Sequence, residues 1–250
     1  MGHILTIGIG VLVSVLAVCF IAYMAARGWH NGIVYSLMGI LVFVVAFSTA
    51  NKLAQSFSPQ FTKAIEPMIT GMVDDASLIA IGERARTEKN DEGEEIQLPI
   101  VVPEEYDGSV YSATLLSFRE IGFDEGTSKR FAEEMAQQHY EVNAAMRNKI
   151  TAKTASVIAY VLVFVLICVI LLCAGFAVIN LFNLIVRFPK FDFISRILGA
   201  AASVFLGALI LYFACWLLRF MGALLPADIY NSEVLAFFFK NNPLTQITLY

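Results

Sequence analysis

Residues 154–186 read TASVIAYVLVFVLICVILLCAGFAVINLFNLIV, 33 consecutive positions without an Asp, Glu, Lys or Arg. An α-helix rises about 1.5 Å per residue, so about 20 apolar residues cross the hydrocarbon core of a bilayer. The stretch exceeds one crossing. Its membrane part should end near Asn180, with 181–188 bending into the interface ahead of Pro189. Residues 1–26, 28–51 and 197–218 are likewise free of charge. Four such windows are hard to reconcile with soluble core helices, whose usual length is ~11–12 residues. The pattern predicts an all-α membrane protein with four transmembrane helices (spans ~4–26, ~33–50, ~155–181 and ~197–218) and a large extramembrane insertion between helices 2 and 3.

Composition agrees. Of 250 residues, 58% are hydrophobic and 15% charged, against about 25% charged in ordinary soluble domains. Residues 52–153 hold 18 acidic and 11 basic side chains, a local balance of −7, which leaves +3 elsewhere from a total of −4. Neither part is basic enough to engage nucleic acid. Cys19, Cys168, Cys173 and Cys215 all fall in apolar windows without metal-ligand spacing, as small packing residues do. The first window has no Lys or Arg ahead of it and exceeds the about 7–15 apolar residues of a signal peptide, so it reads as a retained helix.

The organisation along the chain follows. Residues 1–52 form a helical hairpin turning through Arg27-Gly28-Trp29-His30-Asn31-Gly32, where a charge, an interfacial Trp and two glycines mark a membrane boundary. Residues 53–153 are the amphipathic and acidic extramembrane segment. In its first part Leu53, Phe57, Phe61, Ile65 and Ile69 recur every four residues around Pro59 and Pro67; this stripe suits the membrane interface or packing against the segment itself. Residues 83–108 are the polar low point and predict a mobile loop without calcium-loop spacing. A short helix is expected over 112–121, ended by Gly122. Phe131, Met135, Val142, Met146 and Ile150 then predict one unbroken helix from Ser128 to Leu181. Residues 154–220 form the second transmembrane hairpin, with Arg196 opening its second helix and Trp216 and Arg219 anchoring the far boundary. Residues 221–250 form an interfacial tail, with a short helix capped by Asn231 or Ser232 and stopped by Asn241-Asn242-Pro243.

The spans lack the buried carboxylates and cations that ion-coupled carriers use; Asn180 and Asn183 are the most polar groups there. Gly199, Ser203 and Gly207 recur every four residues, a helix-packing face for a neighbour in the same chain or a second copy. The same spacing in Gly28 and Gly32 falls in the turn and carries less weight. His3, His30 and His139 share no metal spacing, and phosphate loops and nucleophile elbows are absent. Hence no catalytic residue, cofactor or metal ligand is assigned, and the partners expected are membrane lipid and either further copies or an envelope protein. Short loops bearing Arg27, Arg187, Lys190 and Arg196 favour the cytoplasm, which puts the acidic segment and both termini outside. Lys52, Arg147, Lys149 and Lys153 pull the other way, but segments longer than about 60 residues translocate largely regardless of charge.

Ala26-Arg27-Gly28-Trp29 with Gly32, Arg196-Ile197-Leu198-Gly199 with Gly207, and Asn231-Ser232-Glu233-Val234-Leu235 to Phe239 with Asn241-Asn242-Pro243-Leu244 together resemble the colicin V production protein (CvpA) family of bacterial inner-membrane proteins. The likeness covers both helix pairs and the tail, and residues 52–153 resemble the longer insertion of Gram-positive members. The chain departs from the family in lacking an Asp near the start of helix 1, in Asn31 and Gly32 where an acidic residue often stands, and in Leu206 where an Arg is common. The resemblance implies a cytoplasmic-membrane protein linked to toxin production or export and envelope physiology. It implies no defined biochemical activity. With no reacting-group cluster in the sequence, the expectation is a non-enzymatic scaffold or regulator; the alternative is an oligomeric passive channel or exporter subunit.

Overall fold

The computed structural model describes residues 2–89, 95–138, 141–186, 193–220, 233–240 and 242–246. In chain order these form α1 (Gly2–Ala80), β1 (Thr87–Lys89), β2 (Glu95–Gln97), α2 (Val110–Ile121), α3 (Glu125–Ala136), α4 (Ala144–Val186), α5 (Phe193–Leu218), α6 (Glu233–Lys240) and a 3₁₀ turn (Pro243–Gln246). Three helices are long and apolar enough to cross a membrane: α1, α4 and α5. The first is not straight. Gly32 leaves the helical region at φ 79°, ψ 177°, a conformation that glycine adopts without a Cβ clash. Residues on both sides of Gly32 then run along α5: a Cβ on Gly207 would lie 3.1 Å from Ile21 and Met24, and one on Gly39 would lie 3.0 Å from Leu206. The expected reversal at 27–32 therefore occurs at one residue, with helix continuing up to it on each side.

The chain divides into two compact units, 1–57 with 160–218 and 226–250, and 58–159 with 219–225. In the first, the interior is aromatic. Phe47 meets Phe164 edge-on at 5.1 Å, Phe164 meets Trp216 at 5.2 Å, and Phe213 stacks on Trp216. Phe43, Phe47, Phe164 and Trp216 are buried, whereas Val11, Leu16, Leu41, Leu162, Leu166 and Ile170 are each more than half exposed. Such a surface would be untenable in water but suits lipid. Trp216, expected as an interfacial anchor, is wholly buried in this cluster; ring stacking with three aromatic neighbours outcompeted the boundary position. α6 leans on α5 through Tyr212 and Phe238 (4.8 Å), and Asn242 donates to the Tyr212 carbonyl while accepting from Leu244 N–H. Asn231 and Ser232, read as caps of α6, lie outside the described residues, as do Arg187 and Lys190.

The second unit has its own core: Val73, Ala80, Phe118, Phe131, Met146 and Ile150 are almost fully buried, and Phe118, Phe123 and Phe131 meet edge to face at 5.1–5.8 Å. α2 starts at Ser109, whose side chain accepts from Ser112 N–H, and ends in left-handed Gly122, close to the expected bounds. Three expectations fail here. The helix predicted over 128–181 is broken between Ala136 and Ala144, because Asn143 Oδ1 accepts from Ala145 and Met146 N–H and caps a new helix; the apolar stripe was right about burial and silent about the break. Residues 83–108, expected to be a mobile loop, include the antiparallel pair β1–β2, and Arg84–Asp75, Arg86–Glu120 and Arg119–Glu105 ion pairs tie the segment to α1 and α2. Pro59 and Pro67, expected to interrupt the helix, lie inside it. Within the unit, Ser77, Thr114 and Thr154 carry buried hydroxyls without a hydrogen-bond partner among the described residues.

An unsatisfied buried hydroxyl costs about 1–3 kcal/mol relative to an apolar group of the same shape. Thr114→Val should therefore raise stability by roughly 1 kcal/mol, read as a higher thermal midpoint in detergent. Exposed Asp107 is held at about 2, below the usual 3.8, first by the Ser109 side chain and then by the Ser112 side chain and Ser109 N–H. Because the folded state favours the carboxylate, its contribution is complete above the unfolded value and drains away as pH falls toward 2. Acid unfolding of Asp107→Asn should be flatter across that window than that of the unaltered protein.

Candidate functional site

Small residues bring the helices of the first unit into backbone contact. Gly199, Ser203 and Gly207 form one buried face of α5, and that face packs on α1 of the same chain. A Cβ on Gly199 would stand 2.6 Å from the Gly28 carbonyl oxygen and from Gly32 C. Gly28, weighed in the sequence as a turn residue, is thus the direct partner of Gly199. Its helical position one turn before Gly32 was the available signal. Ser203 Oγ lies 2.8 Å from Ser36 Oγ, and Ser36 also donates to the Gly32 carbonyl (3.0 Å). At the same level Ser195 Oγ accepts from Ile33 N–H, the first amide after the break.

Arg27 lies one residue before Gly28. Its guanidinium donates to Tyr35 Oη (2.9 Å) and sits 5.6 Å from the Tyr35 ring centre, and Tyr35 in turn donates to Asn180 Oδ1 on α4 (3.0 Å). The relay ties both sides of the Gly32 break to α4. No carboxylate pairs with Arg27 among the described residues. Beside it, Phe20, Met24, Arg27, Tyr35, Ser36, Phe176, Ser203 and Leu206 help to line a cavity of about 160 Å³. Of the other expected anchors, Trp29 packs edge-on against Phe193 at 5.8 Å and Arg196 is exposed on α5. Arg219 falls in the other unit.

A second polar layer lies further along α1. Tyr160 Oη donates to Asn51 Oδ1 at 2.6 Å, and Gln55 Nε2 donates to the same oxygen at 3.1 Å. From Tyr35 to Asn51 a helix rises roughly 24 Å at about 1.5 Å per residue, and the aromatic cluster joins α1 at Phe43 and Phe47, from the middle of that interval toward Asn51. Chemically, the Arg27 layer offers one delocalised cation, with N–H groups beyond the one given to Tyr35, in apolar surroundings, a group suited to holding an anion. Among the described residues no group of three or more His, Cys, Asp or Glu side chains is placed to hold a metal ion. Searches against protein-family models, curated proteins and solved structures returned no match.

The Gly28–Gly199 contact is backbone against backbone and has no flexible side chain that can give way. Gly28→Ala should lower stability by about 1–3 kcal/mol, the usual cost of overpacking. Gly71, also in α1, has nothing within 4 Å of its Cβ position, so Gly71→Ala should raise stability by up to about 1 kcal/mol through helix propensity. Thermal unfolding of the two variants in one detergent compares them.

Proposed function

We propose that this chain is a four-span protein of the bacterial cytoplasmic membrane that scaffolds or regulates an envelope process, presenting its 58–159 unit to a protein partner. In this reading Gly32 separates the first two crossings, α4 and α5 supply the others, and residues 53–153 stand outside the bilayer. The observation that carries it is the pairing of an apolar helical unit, plugged by Phe47, Phe164 and Trp216, with a unit that has its own buried core. A plugged interior favours a holding role over conduction through one copy, so a passive channel would need a path between copies.

Charge supports the acidic segment being outside. Arg147 and Lys153 are matched by Asp74 (3.7 Å) and Glu134 (2.7 Å), which removes much of their pull on topology, while Arg27 has no such partner among the described residues. The CvpA resemblance supports a link to toxin production or export and envelope homeostasis. Among the described residues no reacting-group constellation favours an enzyme.

Single cysteines at positions 30 and 191 should be labelled by membrane-impermeant maleimide only after the cytoplasmic face is opened, and one at position 91 in intact cells. Labelling of 30 and 91 from the same side would end the four-span reading. Liposomes containing this protein alone should show no solute flux above background; rapid flux would transfer the argument to the channel alternative.

A further inference from the structure

The Arg27 cavity has a composition that the scaffold role does not use. A guanidinium without a carboxylate partner among the described residues faces a space of about 160 Å³, on the order of five water volumes at ~30 Å³ each. Tyr35, Ser36 and Ser203 give it a polar rim, and Phe20, Phe176 and Leu206 give it apolar walls. In the four-span reading Arg27 lies at the cytoplasmic boundary, the level of lipid phosphates, and basic pockets between membrane helices on that side are suited to lipid phosphate groups. The neighbouring surface is already fit for acyl chains: Val15, Val18 and Tyr23, on the α1 stretch that carries Arg27, are each more than half exposed.

We propose that this cavity binds the phosphate of an anionic phospholipid, with the guanidinium of Arg27 as its counter-charge and hydrogen-bond donor, the acyl chains lying along the exposed flank of α1. The Arg27–Tyr35–Asn180 relay orients the guanidinium, so lipid occupancy and the seating of α1 on α4 are coupled. The inference rests on the membrane reading above and on nothing further in it.

The test uses the full chain, purified in a neutral detergent and mixed with equal amounts of phosphatidylglycerol and phosphatidylcholine, with bound lipid read by native mass spectrometry. The unaltered protein should retain phosphatidylglycerol over phosphatidylcholine by at least about fivefold, the size expected for one basic side chain facing an anionic lipid. Arg27→Gln should erase that preference, Arg27→Lys should keep most of it, and Arg196→Gln, on the exposed side of α5, should leave it intact. Inorganic phosphate in large excess should displace little lipid, because it brings no acyl chains; complete displacement would mean that the site takes free phosphate and would overturn the lipid assignment. Equal retention of the two lipids by the unaltered protein, which needs no variant to fold, would also overturn it. A protein that maps as four spans yet shows no preference loses this site alone. One that fails the cysteine mapping loses the membrane reading first.

Discussion

Two peptide backbones touching at Gly28 and Gly199 set the geometry of the apolar unit. If the unit sits in lipid as proposed, no hydrophobic drive pulls its helices together, and association depends on dispersion contacts and on the few hydrogen bonds that close approach permits. With a side chain at either glycine the helices would stand further apart, and the Ser36–Ser203 hydroxyl contact at 2.8 Å would be lost. The break at Gly32 serves the same end. It lets the chain reverse within one residue, so that both arms of α1 reach α5. Arg27 is then carried toward Tyr35 and Asn180 as a consequence of the turn.

The second unit depends on different forces. Its core is Phe118, Phe123, Phe131 and Met146, enclosed by α1, α2, α3 and α4, and its rim is a set of ion pairs. Exposed ion pairs contribute little individually. Here they neutralise a segment rich in carboxylates and join the strand pair to α2. The chain thus uses close small-residue packing in one unit and hydrophobic burial from water in the other.

Much of this was legible from residues alone. Charge-free windows located the apolar helices, the four-residue spacing of Gly199, Ser203 and Gly207 located a packing face, and Ser109 and Gly122 bracket α2 within a residue or two of expectation. The misreadings share a cause: a periodic apolar pattern records which face is buried and nothing about continuity. Phe131 through Ile150 keep their spacing across a break that Asn143 imposes by capping. Conversely, Pro59 and Pro67 are accommodated inside α1 although each removes a backbone donor. Trp216, read as a boundary anchor, is wholly buried among aromatic rings, a packing that a rule about helix ends does not foresee. The Arg27–Tyr35–Asn180 relay links residues up to 153 positions apart, and no local signal announces it.

The two hydrogen-bonded layers also have a bearing on where such a bundle can reside. Between them α1 rises about 24 Å, somewhat less than the about 30 Å of an average hydrocarbon core. A bilayer of that thickness would draw Asn51 and Gln55 at one level, or Arg27 at the other, toward acyl chains. Tilt or local thinning relieves the mismatch at a cost of fractions of a kcal/mol per Å. If the unit spans a bilayer as proposed, the position of a few amides and one guanidinium acts as a built-in depth gauge that favours thinner, more compliant patches of membrane.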